Sequence, residues 1–188
     1  DAYVMNGDEK RVLHFISRPS YISMYELVDG RDISGKNECV ADRYLIDKYG
    51  FSIGDRIKLI APGDDDLSDY IDTEELEIVG VVSSSSYYTT NRDATSIGNG
   101  ITDAFVYIDP EAFCVDYYSA VLLTVKGAAD EVAFSDDYDN VVASVTDLLE
   151  DIKEEREQAR YDDIMEEAHI KIEEAESELS DAKEEAES

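Results

Sequence analysis

Oxygen-bearing side chains between residues 64 and 75 have the spacing of a calcium-binding loop. Positions 1, 3, 5, 9 and 12 of such a loop carry the ligands, and here they are Asp64, Asp66, Ser68, Asp72 and Glu75. Position 6, where glycine normally makes the sharp turn, is Asp69, and the flanking residues alternate as strands rather than helices. Acidic residues are so frequent in this chain that chance matches arise easily. We therefore favour a solvated hairpin loop and predict no metal site.

The histidines and serines lack the partners that zinc binding or nucleophilic catalysis requires. His14 alternates with apolar residues, His169 lies on a predicted helix, and neither has a second His or Cys at ligand spacing. The serines at 83–86 are not part of a GxSxG turn. Pairs of carboxylates hydrolyse glycosides, but acids are everywhere in this chain, so no pair stands out. The sequence predicts no catalytic residue, no cofactor and no enzyme, with a carboxylate hydrolase as the lowest-ranked alternative.

The long polar stretch at residues 83–103 is the best candidate for a partner contact in the first part of the chain. Loops of this length are uncommon in compact domains and are often functional. Tyrosine and arginine are favoured at interface centres. The predicted contact residues are Tyr87, Tyr88, Asn91 and Arg92. The equally weighted alternative is a loop whose tyrosine rings pack onto the sheet.

Short apolar segments separated by turn residues predict the elements that position this loop. Predicted strands lie at residues 11–16, 22–28, 38–40, 56–60, 76–82, 104–108 and 120–125. A helix is predicted at 41–49 and ends at Gly50 in the left-handed conformation. A helical turn or short helix starts at Pro110, and Gly80 marks a bulge or a close backbone approach. These elements predict an α+β fold with a mixed sheet and two short helices.

A single helix is predicted from about Tyr138 to the end of the chain. Its first part carries an apolar face at Val142, Val145, Leu149 and Ile152. Further on, apolar residues alternate at spacings of four and three, which is the coiled-coil repeat. This seam consists of Tyr161, Met165, Ala168, Ile172, Ala175, Leu179 and Ala182. Because so many seam residues are small, a lone helix would bury too little to be stable. A partner helix is implied, in the same parent chain or in a second copy.

Composition restricts the class of partner and the compartment. The chain has 46 acidic and 16 basic residues, a formal net charge of -30, which disfavours nucleic acid and anionic membranes as partners.

Cys39 and Cys114 both stand among apolar neighbours, so we predict two buried free thiols, with one disulfide as the alternative. The chain begins without Met and stops inside a helical repeat. We expect a fragment of a longer protein, with a core domain at residues 1–140 and a helical arm at 141–188.

Three stretches resemble a known family of membrane transporters. They are YELVDGRDISGKNECVADRYLIDKYGFSIGDRIKL, LEIVGVVSSSSYYTTNRDATSIGNGITDAFVYIDPEAF and YSAVLLTVKGA. They are similar to the extracytoplasmic domain of FtsX-like, MacB-type ABC transporter permeases, in the long Gram-positive form with an inserted coiled coil. The resemblance covers about residues 22–150. It implies a MacB-like core at the extracellular face of the cell membrane, between the first and second transmembrane helices of a permease.

The resemblance also implies a function without catalysis. In that family a cytoplasmic ATPase is the partner of the permease, and the external domain transmits movement or docks partners, so no catalytic residues are carried over. We expect an external domain that couples ATPase-driven movement to export or to a partner outside the membrane. The alternative is a secreted or surface-displayed protein-binding module with a helical spacer.

Overall fold

The first part of the chain folds as one mixed β-sheet. The computed structural model describes residues 1–87, 89 and 92–187, and gives only the backbone at 178, 180–182 and 184–187. Its strands are β1 (Ala2–Asn6), β2 (Glu9–Ser17), β3 (Tyr25–Gly30), β4 (Glu38–Asp42), β5 (Arg56–Ile60), β6 (Glu75–Ser84) and β7 (Ala104–Ile108). Its helices are α1 (Arg43–Tyr49) and α2 (Asp136–Glu187). The predicted α+β class, the mixed sheet and the long C-terminal helix are confirmed.

Six of these strands close into a barrel because β6 pairs on both of its edges. The order round the ring is β6-β4-β7-β2-β1-β5, and β5 returns to the start of β6 through an antiparallel pairing. The pairs β2–β7 and β4–β6 are parallel, while β1–β2, β1–β5 and β4–β7 are antiparallel. Strand β3 lies outside the ring, antiparallel to the second half of β6. Closure leaves few free strand edges.

Apolar residues cover both faces of the central strands. In β7, Ala104, Val106 and Ile108 join the larger buried cluster, while Phe105 and Tyr107 point to the opposite face. We call the second set the outer cluster, and its buried members are Ile33, Val40, Val79, Val82, Phe105 and Tyr107. Burial on both faces explains why β7 is a continuous apolar run rather than an alternating one.

Helix α1 has a defined cap at each end. The Asp42 carboxylate accepts a hydrogen bond from the Tyr44 N–H at 3.0 Å, and Leu45 buries the inner face of the helix. Gly50 ends the helix in the left-handed conformation with φ 74°, as predicted. The helix begins two residues later than the sequence pattern indicated, because Ala41 and Asp42 belong to β4.

Three differences from the sequence-based expectations concern strands. Strand β1 was not predicted, although the Asn6-Gly7 pair before β2 is a strong hairpin signal and Gly7 has φ 60°. Strand β3 lies about three residues beyond the predicted 22–28 segment. The strand predicted at 120–125 is wrong, since Val121, Leu122 and Leu123 are 67%, 61% and 59% exposed and belong to no strand. Strand-forming residues form a strand only where a neighbouring edge satisfies their backbone groups.

Contacts between Cα atoms divide the chain into two units, Asp1–Leu123 and Thr124–Ser188. The second unit consists mainly of α2, which is 52 residues long. Ser135 caps the start of the helix, with its hydroxyl 3.2 Å from the Tyr138 N–H and its carbonyl 2.9 Å from the Asp139 N–H. The predicted short helix after Pro110 is a single 3-10 turn, Pro110–Ala112. None of the helices in the described part of the chain combines the length and apolar character needed to cross a bilayer.

Candidate functional site

The long loop after β6 is anchored by a buried ion pair. The Arg92 side chain donates from Nε at 2.8 Å and from Nη2 at 2.6 Å to the Oδ2 atom of Asp42. Both side chains are 6% exposed. Burial raises the pKa of Asp42, while the Tyr44 N–H and the Arg92 guanidinium act in the opposite direction. One carboxylate therefore caps α1 and holds the loop in place.

Aromatic rings surround the same guanidinium. Its carbon lies 5.0 Å from the ring centre of Tyr44, 5.5 Å from that of Phe105 and 5.6 Å from that of Tyr87. The Tyr87 ring stacks on Phe105 of the outer cluster, with centroids 4.2 Å apart. The Tyr87 hydroxyl donates to Asp93 at 2.6 Å, and burial followed by this bond raises the pKa of Tyr87. The loop is packed against the sheet at this end.

The second half of the loop is held to β1, β2 and α1 by hydrogen bonds. Gly98 N–H donates to the Tyr3 hydroxyl at 2.8 Å. Asp103 accepts hydrogen bonds from the Val12 N–H at 2.8 Å and from the Tyr49 hydroxyl at 2.7 Å. These bonds connect the loop to β1, β2 and α1. The polar groups of the loop therefore form the hydrogen bonds that hold it on the barrel surface.

The structure places the predicted contact residues unequally. Arg92 is 9% exposed and is occupied by Asp42 and by the Thr89 carbonyl. Tyr87 is half-buried on the outer cluster. Tyr88 and Asn91 lie outside the described residues. For Tyr87 and Arg92 the geometry is that of an anchor, and sequence reasoning missed Asp42, the partner of Arg92. Its position just before a predicted helix, where an acidic cap is common, was the available signal.

The calcium-like loop forms the favoured hairpin between β5 and β6. Asp66 caps a short 3-10 turn, accepting from the Ser68 N–H at 2.9 Å and from its hydroxyl at 2.8 Å. Asp72 faces Lys36 at 3.5 Å. The loop borders a shallow depression of about 350 Å³. In the part of the chain that the structure describes, no three His, Cys, Asp or Glu side chains come together in a group that could hold a metal ion.

A second depression, of about 390 Å³, lies beside the start of β4 and β6 and is bordered by charged residues. Glu38 accepts two hydrogen bonds from Arg31, at 2.8 and 2.5 Å, and two more from Ser34. The Arg31 guanidinium, followed by the Ser34 donors, lowers the pKa of Glu38 to about 2. Arg56 pairs across the strands with Glu75 at 3.0 Å. Arg31 with Glu38 and Arg56 with Glu75 therefore form ion pairs at the border of this depression.

The cysteines are both free and differ in burial. Cys39 is buried in the barrel, as predicted, and burial raises the pKa of its thiol. Cys114 is exposed, so the prediction that it is buried is wrong. It follows the Pro110–Ala112 turn, where only Ala112 is fully enclosed. An exposed thiol next to apolar residues is not distinguishable from a buried one by sequence alone.

The coiled-coil seam of α2 is an exposed row of apolar side chains. Tyr161, Met165, Ile172 and Leu179 are 59%, 50%, 55% and 56% exposed. Ala168 and Ala175 are also exposed, and the side chain of Ala182 lies outside those described. An apolar row at coiled-coil spacing normally packs on another helix. Its exposure makes the seam the leading candidate for a functional contact.

Three comparisons with known proteins found no match. No protein-family model, no curated protein and no solved structure matches the chain.

Proposed function

We propose that this chain is a non-catalytic extracellular domain of an ABC transporter permease, of the FtsX-like, MacB-type group, with a MacB-like core. In this proposal α2 is an arm that couples ATPase-driven movement in the membrane to export or to a partner outside it. The cytoplasmic ATPase acts through the parent permease. The single observation that carries the proposal is the exposed seam of a 52-residue helix that follows a closed barrel in one chain.

Both units consist of elements that keep their shape, a closed barrel and one long helix. Force passes through an element only if that element keeps its shape, and a barrel with an edge-to-edge closure deforms little. The long polar loop adds cross-links over the barrel surface, through Arg92 at one end and Asp103 at the other. A helix of 52 residues spans about 78 Å at about 1.5 Å per residue. Such a helix offers a partner a contact surface along about 78 Å of its length.

A second candidate function is a secreted or surface-displayed protein-binding module with the helix as a spacer. Residues 117–123 favour it, because they expose aromatic and aliphatic side chains in a continuous run. Tyr118 is 87% exposed and Val121 is 67% exposed. Exposed apolar patches of this kind often mark protein contacts.

Location of the parent protein separates the two candidates. Cells of the source organism are fractionated and probed with an antibody to this chain, with and without protease added to intact cells. We expect a membrane-bound band several times heavier than 21.0 kDa that the external protease removes. A freely secreted band near 21.0 kDa would reject the permease and favour the binding module.

Proline in the arm tests the coupling role. Ala168→Pro removes a helical hydrogen bond and clashes with the preceding turn, which costs a helix about 3 kcal/mol or more. We expect the full-length variant to reach the membrane at normal levels but to fail to complement a strain that lacks the parent gene. Asp136→Pro is the matched control, since it changes the first residue of α2, where proline is tolerated. Full complementation by Ala168→Pro would show that an intact arm is not needed for the coupling.

A further inference from the structure

We propose that the seam of α2 binds the seam of a second copy of this chain in an antiparallel coiled coil of one defined register. In this register Ile172 faces Ala175 of the second copy, and Ala168 faces its Leu179. The pairing does not depend on the proposed transport function. It follows from the sizes and charges that the helical repeat places along one exposed face.

Side-chain size selects the antiparallel direction. The two alternating core positions of the seam are filled differently: one holds the long side chains of Met165, Ile172 and Leu179, and the other holds Tyr161 followed by Ala168, Ala175 and Ala182. In a parallel pair each residue faces its own copy, so alanine faces alanine and leaves unfilled space. In an antiparallel pair the spacings of four and three residues run in opposite orders along the two helices. As a result, each core position of one helix faces the other core position of its partner. Met165, Ile172 and Leu179 then each face an alanine, so these layers are similar in size.

Charge selects the register. The positions flanking the core determine which helices pair and how, through ion pairs between them. In the proposed register Asp162 lies beside Lys183 of the second copy, and His169 lies beside its Glu176. Because the pair is symmetric, each contact occurs twice. All four side chains are exposed.

Neighbouring registers bring like charges together. Sliding one helix by seven residues in one direction puts Asp162 beside Glu176 of the second copy and Lys171 beside its own copy. Sliding by seven residues in the other direction puts Glu176 beside its own copy. Like charges directly opposed across an interface are unfavourable. Size complementarity thus fixes the direction, and charge fixes the alignment.

Disulfide cross-linking tests direction and register together. Two full-length variants are made in a Cys114→Ser background, one with Ala168→Cys and one with Leu179→Cys, with different affinity tags. We expect a mixture of the two to form a cross-linked dimer carrying both tags, because the residues face each other. Each variant alone should not cross-link, since position 168 lies about 16 Å along the axis from its own copy, at about 1.5 Å per residue. A disulfide needs Cα atoms within about 7 Å.

The opposite results overturn the proposal in recognisable ways. Cross-linking of each variant with itself would indicate a parallel dimer. A monomeric mass for the unmodified chain in sedimentation equilibrium up to high micromolar concentration would assign the seam to a different helix. Both substitutions replace exposed side chains, and circular dichroism checks that the helix content is unchanged.

Exchange of one charge pair gives an independent measurement. Asp162→Lys places two lysines together at both symmetric contacts, and we expect it to weaken dimerisation about tenfold. The double variant Asp162→Lys with Lys183→Asp restores opposite charges and should recover the native dissociation constant. Equal dissociation constants for the single and double variants would reject the register. Because these variants keep α2 intact, they separate loss of the dimer from loss of the arm.

Discussion

Replacing Arg92 with methionine should destabilise the barrel by about 3–5 kcal/mol at neutral pH. The substitution keeps the length and packing of the side chain but leaves the buried Asp42 carboxylate without its two guanidinium bonds of 2.6 and 2.8 Å. It also removes the group around which Tyr44, Tyr87 and Phe105 pack. Urea unfolding followed by near-ultraviolet circular dichroism of the tyrosines measures the loss.

The pH dependence of that loss identifies its cause. Burial already raises the pKa of Asp42, and removing Arg92 removes one of the influences that lower it. A carboxyl group with a raised pKa in the folded state favours folding when protonated, and that contribution is lost as the pH rises through the folded pKa. The difference in free energy of unfolding between native chain and variant should therefore be largest near pH 7 and shrink as the pH falls. A difference independent of pH would mean that packing, not the unpaired charge, is responsible.

The double variant Arg92→Met with Asp42→Asn is the matched control. Asparagine keeps the helix cap at the start of α1 and carries no charge. We expect this variant to recover more than half of the stability that Arg92→Met loses. A double variant as unstable as Arg92→Met alone, or a loss below about 1 kcal/mol for Arg92→Met, would contradict the assigned role of the ion pair.

Local sequence patterns predicted the elements whose formation depends mainly on neighbours in the chain. The segments RIKLI and AFVYI correspond to β5 and β7 residue for residue, because turn residues bracket each apolar run. Gly50 ends α1 as expected because its left-handed conformation favours glycine. The coiled-coil spacing of α2 predicted a long helix for the same local reason.

Features that depend on distant residues were not accessible from the sequence. The barrel closes because β6 pairs with three different strands, and nothing in its apolar run indicates how many neighbours it has. The segment at 120–125 is apolar like β7 but forms no strand. The contact between Asp42 and Arg92 joins residues 50 positions apart in a chain with many possible acidic partners. Hence the sequence predicted a long loop between β6 and β7, while the anchoring role of its arginine was not predicted.

Gly80→Ala should cost roughly 3 kcal/mol or more of barrel stability, because β3 and the backbone of Arg31, the residue that follows it, occupy the space that a Cβ atom would take. A Cβ at this position would lie 2.4 Å from the Arg31 carbonyl oxygen and 2.9 Å from the Leu27 Cδ1 atom. Gly80 pairs with Gly30 on β3, which has φ 77° and where an added Cβ would itself lie 2.5 Å from the Val79 carbonyl oxygen, so the two backbones are in close contact on both sides. The close approach that the sequence indicated at Gly80 is where the outer strand meets the barrel.

The expected consequence is separation of β3 from β6, since backbone atoms cannot move aside as a flexible side chain can. Hydrogen exchange should show faster exchange of the β3 amides together with a lower urea midpoint. Gly35→Ala is the matched control: no heavy atom lies within 4 Å of its Cβ position and its φ is not positive, so a change within about 0.5 kcal/mol is expected. If Gly80→Ala unfolded at the same urea concentration as Gly35→Ala, the two backbones would not be in contact at this point. In the structure Tyr25 of β3 covers the outer cluster, with its ring centre 4.7 Å from that of Tyr107. Without that contact between the backbones, a different element would have to cover the cluster.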